Sequence, residues 1–125
     1  MRMGNKILVV DDEPHLVEVM ASRLRANQYE VVTAITGRDG IEKAREEKPN
    51  LILLDIMMLD MDGYGVLRYL KDMSETKDIP VIMMSVKKWS EDIKRAMSGG
   101  AVDYIVKPFD SKDLIGKLKA VLKNE

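Results

Sequence analysis

The 125 residues make one domain's worth of chain, and 20 basic against 21 acidic side chains leave a formal charge of -1, which gives no overall basic face for nucleic acid. An apolar fraction of 46% suits a globular protein, and the lack of cysteine excludes disulfides, thiol catalysis and thiolate metal sites. No apolar run approaches the roughly 20 residues that span a bilayer, and Met1 to Lys6 lacks the apolar stretch of a secretory signal, so a cytoplasmic location without membrane contact is expected.

Ile7 to Val10 is a compact apolar run of the kind a strand buried on both faces presents. Leu16, Met20 and Leu24 then fall on one helical stripe. Val31-Val32 is a shorter strand suited to an edge, followed by a helix carrying Ile41 and Ala44 before Pro49. Leu51 to Leu54 is a second compact strand, and Val66, Leu67 and Leu70 mark the next helix. Val81 to Met84 is a third such strand, with Ile93, Ala96 and Met97 on the helix after it. Tyr104 to Val106 is the last, edge-like strand. Asp110 suits the N-cap of a final helix that carries Leu114, Leu118, Val121 and Leu122. The order is (βα)₅, so the strands run parallel with helices on both faces.

Ligands of such open α/β sheets bind at the carboxyl ends of the strands, and polar chemistry collects there. The first run ends in Asp11-Asp12-Glu13, the third in Asp55, the fourth in Ser85 and the fifth in Lys107-Pro108. Two like unit charges 4 Å apart repel by about 4 kcal/mol at an effective dielectric of 20, so Asp11, Asp12 and Asp55 together call for a cation. An all-oxygen donor set without His or Cys points to Mg²⁺ or a similar hard ion, Mn²⁺ included. Such a metal bridges phosphoryl oxygens during transfer. Lys107 supplies a second positive centre, Ser85 a hydroxyl, and Asp55 a carboxylate nucleophile able to form an acyl phosphate. Taken singly, an Asp, Ser or Lys after a strand is an ordinary turn or solvated residue; four strand ends each carrying the required group are not ordinary.

These stretches resemble the receiver domain of two-component response regulators: KILVVDDEP at Lys6 to Pro14, LILLDIMMLDMDGY at Leu51 to Tyr64, PVIMMS at Pro80 to Ser85 and GAVDYIVKPF at Gly100 to Phe109. The resemblance runs from Lys6 to about Lys123 and implies a single receiver domain over 1–125, with a flavodoxin-like sheet in the order 2-1-3-4-5. It implies a phosphoacceptor at Asp55, Mg²⁺ held directly by Asp12 and Asp55, through water by Asp11, and by the Met57 carbonyl. Ser85 and Lys107 would contact the phosphoryl group, and Tyr104 would turn inward as Ser85 moves. The Lys107-Pro108 peptide would be cis. The implied partners are a sensor histidine kinase or a histidine phosphotransfer protein, and a downstream protein reached through the fourth helix, fifth strand and fifth helix. The implied protein is a switch that takes on and sheds its own phosphoryl group, not an enzyme turning over an external substrate.

Some positions depart from the family's usual pattern. Leu59 stands where Pro is common, which leads one to expect a looser loop after Asp55. Val86 stands where Ala or Gly is common and would narrow access to Asp55. Met57 and Lys87 occupy positions that tune hydrolysis; an apolar Met57 cannot orient a water, so slow self-dephosphorylation is expected. Gly65 weakens the start of the third helix. His15, the single histidine, is expected to be an exposed helix residue, most of the ten methionines core filling, and Trp89 a partner-facing residue.

Competing functions fit less well. An aspartyl-phosphate phosphatase of the haloacid dehalogenase type places a second Asp two residues after the nucleophile, where this chain has Met57. In a flavodoxin-like FMN carrier, Asp11-Asp12-Glu13 would repel the phosphate. The intact acidic set argues against a receiver that works by contacts alone. A stand-alone receiver is expected, the alternative being the receiver of a longer transcription regulator.

Overall fold

The computed structural model describes residues 5–122; the first residues of the chain and the last three, including Lys123 at the end of the resemblance, lie outside the described residues. The elements are β1 (Lys6–Val10), α1 (Pro14–Ala26), β2 (Glu30–Ala34), α2 (Gly37–Glu47), β3 (Leu51–Asp55), α3 (Gly63–Asp72), β4 (Val81–Ser85), α4 (Ser90–Ser98), β5 (Asp103–Val106) and α5 (Ser111–Leu122). The five strands form one parallel sheet in the order β2-β1-β3-β4-β5. The short runs at Val31 and Tyr104 therefore do form the two edges.

Side chains alternate across a strand, and this divides the core in two. Ile7, Val9, Leu51, Leu53, Ile82 and Met84 face α1 and α5, where Met20, Leu24, Leu114 and Leu118 cover them. Leu8, Val10, Ile52, Leu54, Val81 and Met83 face the other way, under Ala44 of α2, Val66, Leu67 and Leu70 of α3, and Ala96 of α4. The three central strands are buried on both faces, which is why they read as unbroken apolar runs. Helix α4 differs from expectation: it buries Ala96 and half-buries Ile93, whereas Met97 is exposed. Ala96 is the one fully buried residue of α4, against three in α2 and four in α3, so α4 packs more lightly than its neighbours. The methionines also divide: Met20, Met83 and Met84 are core residues, but Met57 and Met97 are exposed.

Parallel register brings the strand ends together. Val10 lies opposite Leu54, so Asp11 and Asp55 leave adjacent strands side by side at the point where strand order reverses. Ser85 is paired with Val106, and the Lys107 N–H donates to the Ser85 carbonyl at 2.7 Å. Asp110 caps α5 by accepting from Asp113 N at 2.9 Å, as expected.

The Asp62 carboxylate caps α3 by accepting from Gly65 N at 2.9 Å. A Cβ on Gly65 would have nothing closer than 3.8 Å. Gly65→Ala is therefore expected to stabilise the chain by about 0.5–1 kcal/mol, by removing glycine's extra conformational freedom; a melting temperature unchanged or lowered would contradict this.

Candidate functional site

The acidic residues named from the sequence meet at one point. Asp11, Asp12 and Asp55 each present a carboxylate oxygen, and these oxygens lie within 4.8 Å of one another. Asp11 and Asp55 are buried, and Asp12 is partly exposed. Lys107 reaches in from the end of β5, its Nζ donating to Asp11 Oδ2 at 2.6 Å and to Asp55 Oδ1 at 3.1 Å. The Lys107-Pro108 peptide is cis, as expected. The Glu13 N–H donates to Asp11 Oδ1 at 3.1 Å, so both oxygens of that carboxylate are held.

Burial raises the Asp55 pKa to about 6, and the Asp11 charge adds to the effect; Lys107 opposes it, and Asp12 contributes a further small rise. Burial pulls the Lys107 ammonium the other way, but its hydrogen bond to Asp11 and the charges of Asp55 and Asp11 outweigh this and raise it. The lysine thus stays charged.

One ammonium against three carboxylates leaves two negative charges without a counter-charge. The donors are all hard oxygens, and they converge closely enough to share one ion. Both observations fit a divalent hard cation such as Mg²⁺.

Ser85 ends β4 and is buried. Its Oγ accepts from Lys87 N at 3.1 Å, and the Lys87 carbonyl accepts from the Tyr104 hydroxyl at 2.7 Å. The backbone of Lys87 therefore links Ser85 to Tyr104. Tyr104 is buried, 7% exposed, and so points inward. Around the pocket Met57 and Val86 are exposed and Lys87 is partly so. Trp89 is the N-cap residue before α4 and is 67% exposed. His15 is exposed on α1.

Hydrogen bonds tether the loop between Asp55 and α3 at several points. The Leu59 N–H donates to Asp12 Oδ2 at 2.9 Å. Asp60 accepts from Gly37 N at 2.8 Å and from Arg38 N at 3.1 Å, which ties the loop to the start of α2 and, chiefly through the Gly37 bond, lowers the Asp60 pKa. The Gly63 N–H donates to the Ile56 carbonyl at 2.6 Å. Asp60 is the residue that sequence reasoning missed; an Asp in a loop gives no sign of which distant helix it will cap. Tyr64 adds a further link, its ring lying under the Arg95 guanidinium at 3.9 Å and so joining α3 to α4.

The family model of the response regulator receiver domain matches residues 7–119. The chain is 42% identical over 118 residues to a probable transcriptional regulator ycf27 of Cyanophora paradoxa, covering 94% of this chain and 48% of that protein. It is 36% identical over 121 residues to the alkaline phosphatase synthesis transcriptional regulatory protein PhoP of Bacillus subtilis, covering 97% of this chain and 50% of that one. The chain thus spans about half the length of these curated relatives. Among solved structures, chemotaxis protein CheY4 of Vibrio cholerae superposes with a TM-score of 0.91 at 30% identity, over 97% of this chain and all of that one. A CheY-like receiver domain protein of Methanospirillum hungatei gives 0.90 at 30% identity, over 97% and 95%. No helix among the described residues is long and apolar enough to cross a membrane. With the sheet order, the acidic cluster and the lysine beside it, these matches place the chain in the response regulator receiver domain family of two-component systems.

Proposed function

We propose that Asp55 is the phosphoacceptor and that Asp12, Asp55 and the Met57 carbonyl hold Mg²⁺ directly, with Asp11 acting through water. The observation that carries this reading is the buried Asp55 carboxylate, which shares Lys107 with Asp11 and lies within reach of both neighbouring acids. Bound Mg²⁺ would neutralise charge on the phosphoryl oxygens. The donor is a phosphohistidine on a sensor kinase or phosphotransfer protein. An Asp55 oxygen attacks phosphorus in line; the new O–P bond forms as the P–N bond breaks and its electron pair returns to the imidazole. A pKa of about 6 leaves Asp55 mainly ionised, and so nucleophilic, at neutral pH. Lys107 then turns from the carboxylates to a phosphoryl oxygen, and Ser85 donates its hydroxyl to another.

The switch is a change in population. Because Lys87 links Ser85 to Tyr104, a shift of Ser85 toward the phosphoryl group bears on the inward Tyr104 and on the start of α4. The lightly seated α4, with Trp89 and Met97 exposed, suits the output face shared with β5 and α5. Apolar Met57 and Val86 favour slow hydrolysis of the phosphoryl group. Residues 1–125 would act as one receiver. The relatives named as transcriptional regulators favour a second reading of the output, in which this face controls a transcription-regulating module.

Intact-mass spectrometry after incubation with acetyl phosphate tests the assignment. One added phosphoryl group is expected in the presence of Mg²⁺, and none in EDTA or in Asp55→Asn. A mutant that still gains the group would remove Asp55 from its role; uptake in EDTA would remove the metal.

A further inference from the structure

We infer that the backbone N–H of Leu59 is a positioning group for the metal site, holding Asp12 in place and thereby strengthening Mg²⁺ binding. The inference rests on the Mg²⁺ reading above. Of the three clustered carboxylates, Asp11 and Asp55 share the Lys107 ammonium. Among the described residues, Asp12 is held by a different donor, the Leu59 N–H, at 2.9 Å from Oδ2. This bond fixes the carboxylate through one oxygen and offsets part of the repulsion from two adjacent acids.

The Leu59 side chain is 98% exposed, so it contributes little packing. What the position offers the site is its amide hydrogen, which a proline could not supply. The same bond ties the end of the β1–α1 connection to the loop that carries Met57. Groups that orient metal ligands from behind typically change metal affinity about 10–100-fold when removed. For a single N–H at a partly exposed carboxylate the lower end of that range is expected.

The experiment is a MgCl₂ titration of the full chain, followed by amide chemical shifts, on the wild type, Leu59→Ala and Leu59→Pro. A fourth, semisynthetic chain has an ester in place of the Met58–Leu59 amide, which deletes the same hydrogen without the proline ring. Well-dispersed spectra establish that each is folded. Leu59→Ala keeps the N–H and is expected to bind within about twofold of wild type, whereas the proline and ester chains are expected to bind about tenfold more weakly. Wild-type affinity or tighter in the ester chain would overturn the inference even if Leu59→Pro is weakened, because the proline effect would then come from its ring. A wild type that binds no Mg²⁺ would overturn the metal reading and this inference together.

Discussion

In EDTA at about pH 7.5, Asp55→Asn should be more stable than the wild-type chain by about 1–2 kcal/mol, or roughly 5 °C in melting temperature. The reason is the burial that lifts the Asp55 pKa from the ordinary 3.8 to about 6. A carboxyl whose folded pKa is raised holds its proton more tightly in the fold than in the unfolded chain. The contribution of Asp55 to stability is therefore most favourable below about pH 4, falls as pH rises toward about 6, and stays lowered above that. The full interval corresponds to about 3 kcal/mol at about 1.4 kcal/mol per pH unit. Solvent at the mouth of the pocket screens part of it, leaving the smaller figure. Asn keeps the shape of Asp, and its carbonyl oxygen can still accept from Lys107, so the substitution removes charge rather than packing. The gap should close at about pH 4, where the wild type is protonated, and should narrow when Mg²⁺ is added, because only the wild type keeps all three carboxylates. Equal melting temperatures at both pH values would show that Asp55 is not penalised by its burial.

That penalty explains why the pocket could be read from the sequence at all. An apolar strand such as LILL running straight into Asp55 has no packing reason to end that way. Parallel strands bring such ends to one edge, so Asp11, Asp55, Ser85 and Lys107 could be placed together from their positions alone. What could not be read was held by the backbone. The Leu59 N–H on Asp12 and the Lys87 carbonyl on Tyr104 depend on loop paths, and side-chain identity carries no sign of them. The same holds for Asp60, whose carboxylate reaches the start of α2. Met97 was misplaced because helical spacing alone cannot tell how much of a face a lightly packed helix buries.

Gly63→Ala, at the first residue of α3, should be a strongly damaging single-methyl change, with a loss of about 3 kcal/mol. A Cβ at Gly63 would lie 2.3 Å from the Asp55 carbonyl oxygen and 2.6 Å from the Ile56 Cα. Both are backbone atoms at the end of a buried central strand, so neither can turn aside as a side-chain tip would. Relief requires moving α3 away from β3, which breaks the Gly63 N–H bond to the Ile56 carbonyl and shifts the backbone that carries Asp55. Stability and Mg²⁺ affinity should therefore fall together in Gly63→Ala. Gly65→Ala, two residues along the same helix with open space around it, should lower neither. Denaturant unfolding and MgCl₂ titration of both variants check this. If Gly63→Ala were as stable as wild type, the contact between the start of α3 and the Asp55 backbone would not constrain the site. If it were destabilised but bound Mg²⁺ normally, α3 would move without disturbing the metal ligands, and the loop's rigidity would be a matter of folding alone.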